Sequence, residues 1–462
     1  MNVILVMSDS FRRDHIGAFG NSWIKTPALD RFASQSTDFP NFRMGSYATI
    51  PQRTDMFTGH FSFHDRPWTA LKPDDVVLAE LLAKKGIATY CSADTPHLFH
   101  SGMVTFMRGF DAFHWSRGSE GDMWWSDFYN EQDYRPPTGK GRIRINPDRY
   151  KKLWSQGRRR TNELDWVTPQ TFQAGIEWLT RNYRRDSFFL YIDTFDPHEP
   201  WDPPRWARDL YLPDAKGRPY AWAEYGSAKQ YGKEELRHLQ ALYAGECTIV
   251  DRWFGRLMDT VDLLGLSKNT MVIFLADHGH YLGYPNDGGQ IGKATGYRKS
   301  DGKMAYRDAD VFVPLLDPIS NPPFMVRMPG QDKSSTRNEI AQPPDVMPTV
   351  LEVMGVKRPR NLHGKSILPL LKDKTVPWRS TGITALHKNF IQITDKRWLY
   401  GVRPAPDRKR PKLYDRKTDP NQKRDVLKKN PGIARRLHRK LVSEMRSLKV
   451  PPDWIDAVDS KL

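Results

Sequence analysis

Thr49, Pro51 and Arg53 stand at i, i+2 and i+4 in the run Thr49-Ile50-Pro51-Gln52-Arg53, which Thr54-Asp55-Met56-Phe57-Thr58-Gly59 follows at once. This spacing suits an attack on a tetrahedral anion. Proline fits the first turn of a helix, where its missing N–H costs nothing. The helix start then offers free N–H groups and a positive dipole end to phosphate or sulfate. Arg53 can add a forked, charge-assisted grip on two oxygens of the same anion. Taken alone, the run also reads as an ordinary cap or turn. Two strand ends bring metal chemistry to it. Residues 2–7 form an apolar, β-branched run that reads as a buried parallel strand ending at Ser8-Asp9. Residues 269–276 repeat the pattern and deliver Asp277-His278-Gly279. Ligands of open α/β sheets gather at this carboxyl edge. Two aspartates and a histidine placed there suggest a divalent metal site.

The order of the motifs widens the reading. Residues 2–12, 26–33 and 49–59, Asp196-Pro197-His198, Asp277-His278-Gly279, Gly292-Lys293, and residues 345–349, 362–371 and 413–420 follow the order seen in sulfatases. The chain therefore resembles a sulfatase-type member of the alkaline phosphatase superfamily over nearly its whole length. The resemblance implies an α/β, alkaline-phosphatase-like sandwich. Its large central sheet is mixed and mostly parallel, flanked by helices, with a smaller C-terminal α+β subdomain. One position departs from the family. In sulfatases the residue matching Thr49 is a cysteine or serine, converted to a formylglycine whose hydrated aldehyde attacks sulfur. Threonine is not expected to undergo that conversion. A metal-activated Thr49 hydroxyl can instead attack directly, forming a phospho-threonine that water hydrolyses. Threonine nucleophiles occur in phosphodiesterase-like and phosphoethanolamine-transferase-like branches of the superfamily. The leading expectation is hydrolysis of a phosphodiester, or of a phosphonate or phosphate monoester. The alternatives are a sulfatase acting without formylglycine, and a catalytically weak homologue that binds polyanions or glycans.

The resemblance also assigns roles. One metal is expected on Asp9, Thr49, Asp277 and His278. Typical sulfatases pair aspartates after the first strand and use Asp-Asn after the later one, around calcium. Here the first pair is broken as Ser8-Asp9-Ser10, and imidazole replaces an oxygen ligand. That shifts preference from calcium toward manganese, zinc or iron, and resembles the phosphonate monoester hydrolase group. Manganese is favoured. Asp193, Asp196, His198 and His363 could form a second metal set on paper, but a single metal is the expectation. Lys293 matches the lysine that contacts the transferred group. His198 matches the histidine at the scissile ester oxygen and is a candidate general acid. Asp94 stands where many arylsulfatases carry a lysine, and His97 nearby is a candidate substrate contact.

Length and composition set outer bounds. The 462 residues suffice for a catalytic α/β domain over 1–372 and a basic C-terminal subdomain over 373–462. No apolar run reaches about 18 residues, so no membrane span is expected. The first strand starts at residue 2, leaving no room for a signal peptide, and Cys91 and Cys247 imply no disulfide framework. Cytoplasm is the default location. Helices are predicted over 26–35, 74–85, 168–182, 233–264 and 433–445, and strands over 87–91, 187–195 and 324–328. Residues 110–165 lose this rhythm and carry Trp115, Trp124, Trp125, Trp154, Arg142, Arg144 and residues 158–160, all arginine. They read either as an insertion that binds an apolar or sugar-like leaving group, or as a surface excursion packed by tryptophan. Residues 403–449 hold 17 Lys/Arg against 5 Asp/Glu, most of the net +17. No nucleic-acid motif accompanies them, so a solvated basic face that steers anions is the expectation. The expected partner is a small anionic ester. The sequence leaves a homo-oligomer open.

Overall fold

The computed structural model describes residues 1–125, 151, 155, 157, 160–215, 222–293, 296–298, 304–306, 314–407 and 409–461. Eight strands form the central sheet: β1 (Asn2–Ser8), β2 (Thr37–Asp38), β3 (Ala88–Ala93), β4 (Ala112–Trp115), β5 (Phe188–Thr194), β6 (Thr270–Ala276), β7 (Phe324–Arg327) and β8 (Ser335–Thr336). Their order is β8-β2-β7-β6-β1-β5-β3-β4. The run β6-β1-β5-β3-β4 is parallel, while β7 pairs antiparallel with both β6 and β2. The sheet is thus mixed and mostly parallel, as the family resemblance implies.

Side-chain alternation splits the core into two layers. Ile4 and Val6 of β1, with Leu190 and Ile192 of β5, face helices α4 (Val167–Asn182) and α5 (Lys233–Leu263). Val3, Leu5 and Met7, with Phe189 and Tyr191, face the other side, where α2 (Thr49–Thr58), α3 (Leu78–Ala83) and α6 (Val346–Val353) lie. The short α1 (Pro27–Ala33) packs on α5. Both faces of β1 are therefore buried, and it reads as one unbroken apolar run.

The predicted elements recur with shifted ends. The expected helix at 74–85 begins only at Leu78. The Asp75 carboxylate accepts the Lys72 N–H at 2.7 Å and pairs with Arg66, which ties the preceding residues into a turn. The helix expected at 26–35 is confined to α1. Of the irregular stretch, Trp115 lies on β4, and Trp124 and Trp125 are exposed. Trp154, Arg142, Arg144, Arg158 and Arg159 lie outside the described residues.

A four-stranded antiparallel sheet follows: β9 (Gly382–Leu386), β10 (Phe390–Thr394), β11 (Trp398–Val402) and β12 (Lys412–Asp415). Helices α7 (Pro431–Ser447) and α8 (Pro452–Asp459) cover it. Leu437, Leu441 and Met445, spaced by four, face this core as their helical period dictates. No helix among the described residues is long and apolar enough to cross a membrane.

Candidate active site

Register brings the first residues together. Ser8, at the end of β1, lies opposite Thr194 of β5 on one side and Ala276 of β6 on the other. The chain leaves all three strands side by side, delivering Asp9, the Asp196–His198 segment and Asp277-His278 to one edge. The turn after β1 is fixed from both neighbours. The Ser8 hydroxyl donates to the Asp196 carbonyl at 2.7 Å, and the Ser10 N–H donates to Asp277 Oδ1 at 2.9 Å. Ser10 adopts φ +65°, a left-handed conformation that a serine takes at a cost.

Asp9, Asp277 and His278 are fully buried, with one ligating atom from each within 4.8 Å of the others. Asp9 Oδ2 and His278 Nε2 form no hydrogen bond among the described residues. His278 Nδ1 lies 2.9 Å from the Gly279 carbonyl, which can only accept, so Nε2 carries the lone pair. Burial pushes the His278 ring down to about 4, with Lys293 and Arg53 adding to it against the pull of Asp277, so the imidazole is neutral. Burial and the neighbouring Asp277 raise the Asp9 carboxyl. Two close, buried carboxylates and a neutral imidazole with an orphan nitrogen fit a divalent cation.

Helix α2 supplies Thr49. The cap position is Ala48, which has no side chain to cap with, so the ordinary-cap reading of Thr49 does not apply. Thr49 is the first helical residue and is buried, and its hydroxyl makes no hydrogen bond among the described residues. Two residues on α2 pin this end to the metal edge. Gln52 Nε2 donates to the Asp277 carbonyl at 2.6 Å, and Arg53 Nη1 donates to Asp277 Oδ2 at 2.8 Å. Arg53 differs from expectation. Its Nε and Nη2 donate to the two Asp193 oxygens, each at 2.7 Å. The fork predicted to grip a substrate anion is closed on protein carboxylates.

Lys293 and His198 face the same edge. The Lys293 ammonium lies 3.3 Å from Glu199 and 4.0 Å from Asp9. His198 Nδ1 donates to the Glu199 carbonyl, which leaves Nε2 as an acceptor. Burial, helped by Lys293 and opposed by Glu199, pushes His198 down to about 3. The ring is neutral, so it is not a standing proton donor of the kind a general acid supplies. His97 sits farther out. Its Nε2 is 2.8 Å from Glu120, and its ring meets Phe195, which stacks on His198 at 3.9 Å between centroids. Sequence reasoning missed Glu199, His280 and Tyr225. Glu199 Oε2 lies 3.4 Å from both His198 Nδ1 and His280 Nδ1, and the Tyr225 hydroxyl donates to Oε1. The acidic residue inside Asp196-Pro197-His198-Glu199-Pro200 was the available signal.

The residues considered for a second metal do not assemble. Asp193 is held by Arg53, and His363 packs on His60 and His64 beyond the far end of α2, with its N–H on the Gly59 carbonyl. Among the described residues, the group of three that could hold an ion is Asp9, Asp277 and His278.

A family model described as Sulfatase matches residues 1–356, and one described as N-sulphoglucosamine sulphohydrolase, C-terminal, matches residues 315–450. The chain belongs to the sulfatase family. It is 24% identical to an arylsulfatase of Clostridium perfringens over 82% of this chain and 80% of that one. It is also 24% identical to arylsulfatase K of Mus musculus, over 97% of this chain and 80% of the relative. The crystal structure of a phosphonate monoester hydrolase of Agrobacterium radiobacter shares the fold, with a TM-score of 0.69 and 21% identity over 96% of this chain and 95% of that one. This sulfatase-family protein is a hydrolase of ester bonds, and relatives of its kind are metal-dependent.

Proposed function

We propose that this sulfatase-family hydrolase cleaves phosphorus esters, phosphodiesters or phosphonate monoesters first, with Thr49 as the nucleophile. One observation carries the reading. Thr49, a buried residue whose hydroxyl makes no hydrogen bond among the described residues, heads the helix that Gln52 and Arg53 tie to Asp277. Asp9, Asp277, His278 and the Thr49 oxygen would hold one divalent ion, manganese by preference, with zinc, iron or calcium as alternatives. Such an ion lowers the pKa of a hydroxyl and offsets substrate charge.

In the first step the Thr49 Oγ–P bond forms and the bond from phosphorus to the leaving oxygen breaks. Thr49 gives up one proton and the leaving oxygen gains one. His198, with Nδ1 engaged, would pass that proton on through Nε2. Lys293 offsets charge on the transferred group. In the second step water forms the new P–O bond, the Thr49 Oγ–P bond breaks, and Thr49 regains its proton.

Thr49→Ala is expected to lower kcat/KM for an aryl phosphodiester by about a thousandfold or more. Quenched wild-type protein should carry the phosphoryl adduct on the Thr49 peptide in mass spectrometry. Activity within tenfold of wild type in Thr49→Ala would sink the proposal. Sulfate ester hydrolysis is the second reading, favoured by the arylsulfatase relatives. Faster turnover of 4-nitrophenyl sulfate than of the matching diester, without a Thr49 adduct, would establish it instead.

A further inference from the structure

Glu199 is a carboxyl group buried among the groups that would meet the substrate. Its Oε2 lies 3.3 Å from the Lys293 ammonium and 3.4 Å from Nδ1 of both His198 and His280, while Oε1 accepts from Tyr225. The side chain is 1% exposed, so water screens it little. The Lys293 ammonium stands against it as its counter-charge. Among the described residues, the carboxylates of Asp9, Asp193, Asp277 and Glu199 stand close to Arg53 and Lys293 at this edge. Lys293, the lysine assigned to the transferred group, is thus already answered in part by Glu199. A second negative charge on the transferred group must be accommodated close to a buried carboxylate, where charges interact far more strongly than in water.

We propose that Glu199 is a specificity-determining residue that restricts the site to monoanionic groups and rejects dianionic ones. Phosphodiesters, phosphonate monoesters and sulfate esters carry one charge on the transferred group. Phosphate monoesters carry two above about pH 6. The inference rests on Lys293 facing the transferred group, as in the reading above. It does not rest on Thr49 chemistry.

The test uses two ligands of one shape that cannot be hydrolysed, benzenesulfonate (monoanion) and phenylphosphonate at a pH where it is a dianion. Their affinities are measured by calorimetry for the manganese-loaded wild type and Glu199→Gln. The ratio of the two affinities should shift toward the dianion by about tenfold or more in Glu199→Gln, since one full charge has left the pocket. Glu199→Asp, which keeps the charge, should retain the wild-type ratio. In turnover, kcat/KM for 4-nitrophenyl phosphate should rise relative to that for methyl 4-nitrophenyl phosphate in Glu199→Gln. An unchanged affinity ratio in a folded Glu199→Gln protein would overturn the proposal and leave Glu199 a packing residue. If that variant does not fold, the wild-type ratio decides, and tighter binding of the dianion rejects the idea. A missing Thr49 adduct would defeat the nucleophile assignment while leaving this ratio measurable.

Discussion

Arg53 shows how one side chain changes meaning between sequence and structure. Its position four residues after Thr49 suggested a grip on the substrate anion. In the fold it is fully buried, bidentate on Asp193, bonded to Asp277, and 3.4 Å from Asp9. It holds carboxylates that burial would otherwise drive apart or protonate. Arg53→Gln should therefore lower the stability of the metal-free protein by about 3–5 kcal/mol, the usual effect of stranding a buried charge. Added manganese should raise the melting temperature of the variant more than that of the wild type, because the ion supplies some of the missing positive charge. A variant that keeps wild-type stability and loses only KM would restore the substrate-grip reading. Sequence could not separate the two, because Asp193 is 140 positions away and meets Arg53 only when α2 packs against the central sheet.

At the scale of elements, most of what places the site was legible. Strands β1, β5 and β6 announce themselves as apolar runs because both their faces are buried, and Asp9 and Asp277 follow from where those runs stop. Helix α5 fell within a residue of its predicted end, since a long amphipathic period averages over local ambiguity. What stayed hidden depends on contacts between elements distant in the chain. Glu199 becomes part of the site only when the loop after β5 meets Lys293 and His280. The turn after β6 gives another case. The Gly279 N–H donates to the Ile319 carbonyl at 3.0 Å, and a Cβ on Gly279 would lie 1.8 Å from the Pro318 carbonyl oxygen. Backbone therefore approaches backbone directly behind Asp277 and His278, and only glycine leaves room. Gly279→Ala is expected to destabilise the protein by about 1–3 kcal/mol through overpacking. It should also weaken manganese binding measured by calorimetry, since His278 Nδ1 rests on the Gly279 carbonyl. Unchanged manganese affinity in Gly279→Ala would show that the turn does not set the ligand geometry.

At the scale of the whole molecule, the two sheets are joined through charge as well as packing. Asp317 accepts from Arg43 at 2.8 Å and from Arg416 Nε at 2.9 Å. Arg43 lies in the segment leading to α2, and Arg416 follows β12, so this carboxylate bridges the catalytic edge and the C-terminal sheet. Burial alone would raise the Asp317 carboxyl, but Arg416 and Arg43 outweigh it and hold it at about 2, below the usual 3.8. A carboxyl depressed in the folded state contributes its full stabilisation above its unfolded pKa, and loses it as pH falls from 3.8 toward 2. A shift of this size corresponds to about 2 kcal/mol. Asp317→Asn should therefore unfold at a lower urea concentration than the wild type at pH 7. The gap between the two midpoints should then narrow steadily between pH 4 and pH 2, because the wild type loses the bridge that the variant never had. A gap that stays constant over that range would assign the difference to altered hydrogen bonding at Asp317. The same experiment followed by tryptophan fluorescence gains resolution from Trp398 and Trp454, both buried in the C-terminal core. If the bridge couples the two sheets, acid should perturb that signal at a higher pH in Asp317→Asn than in the wild type.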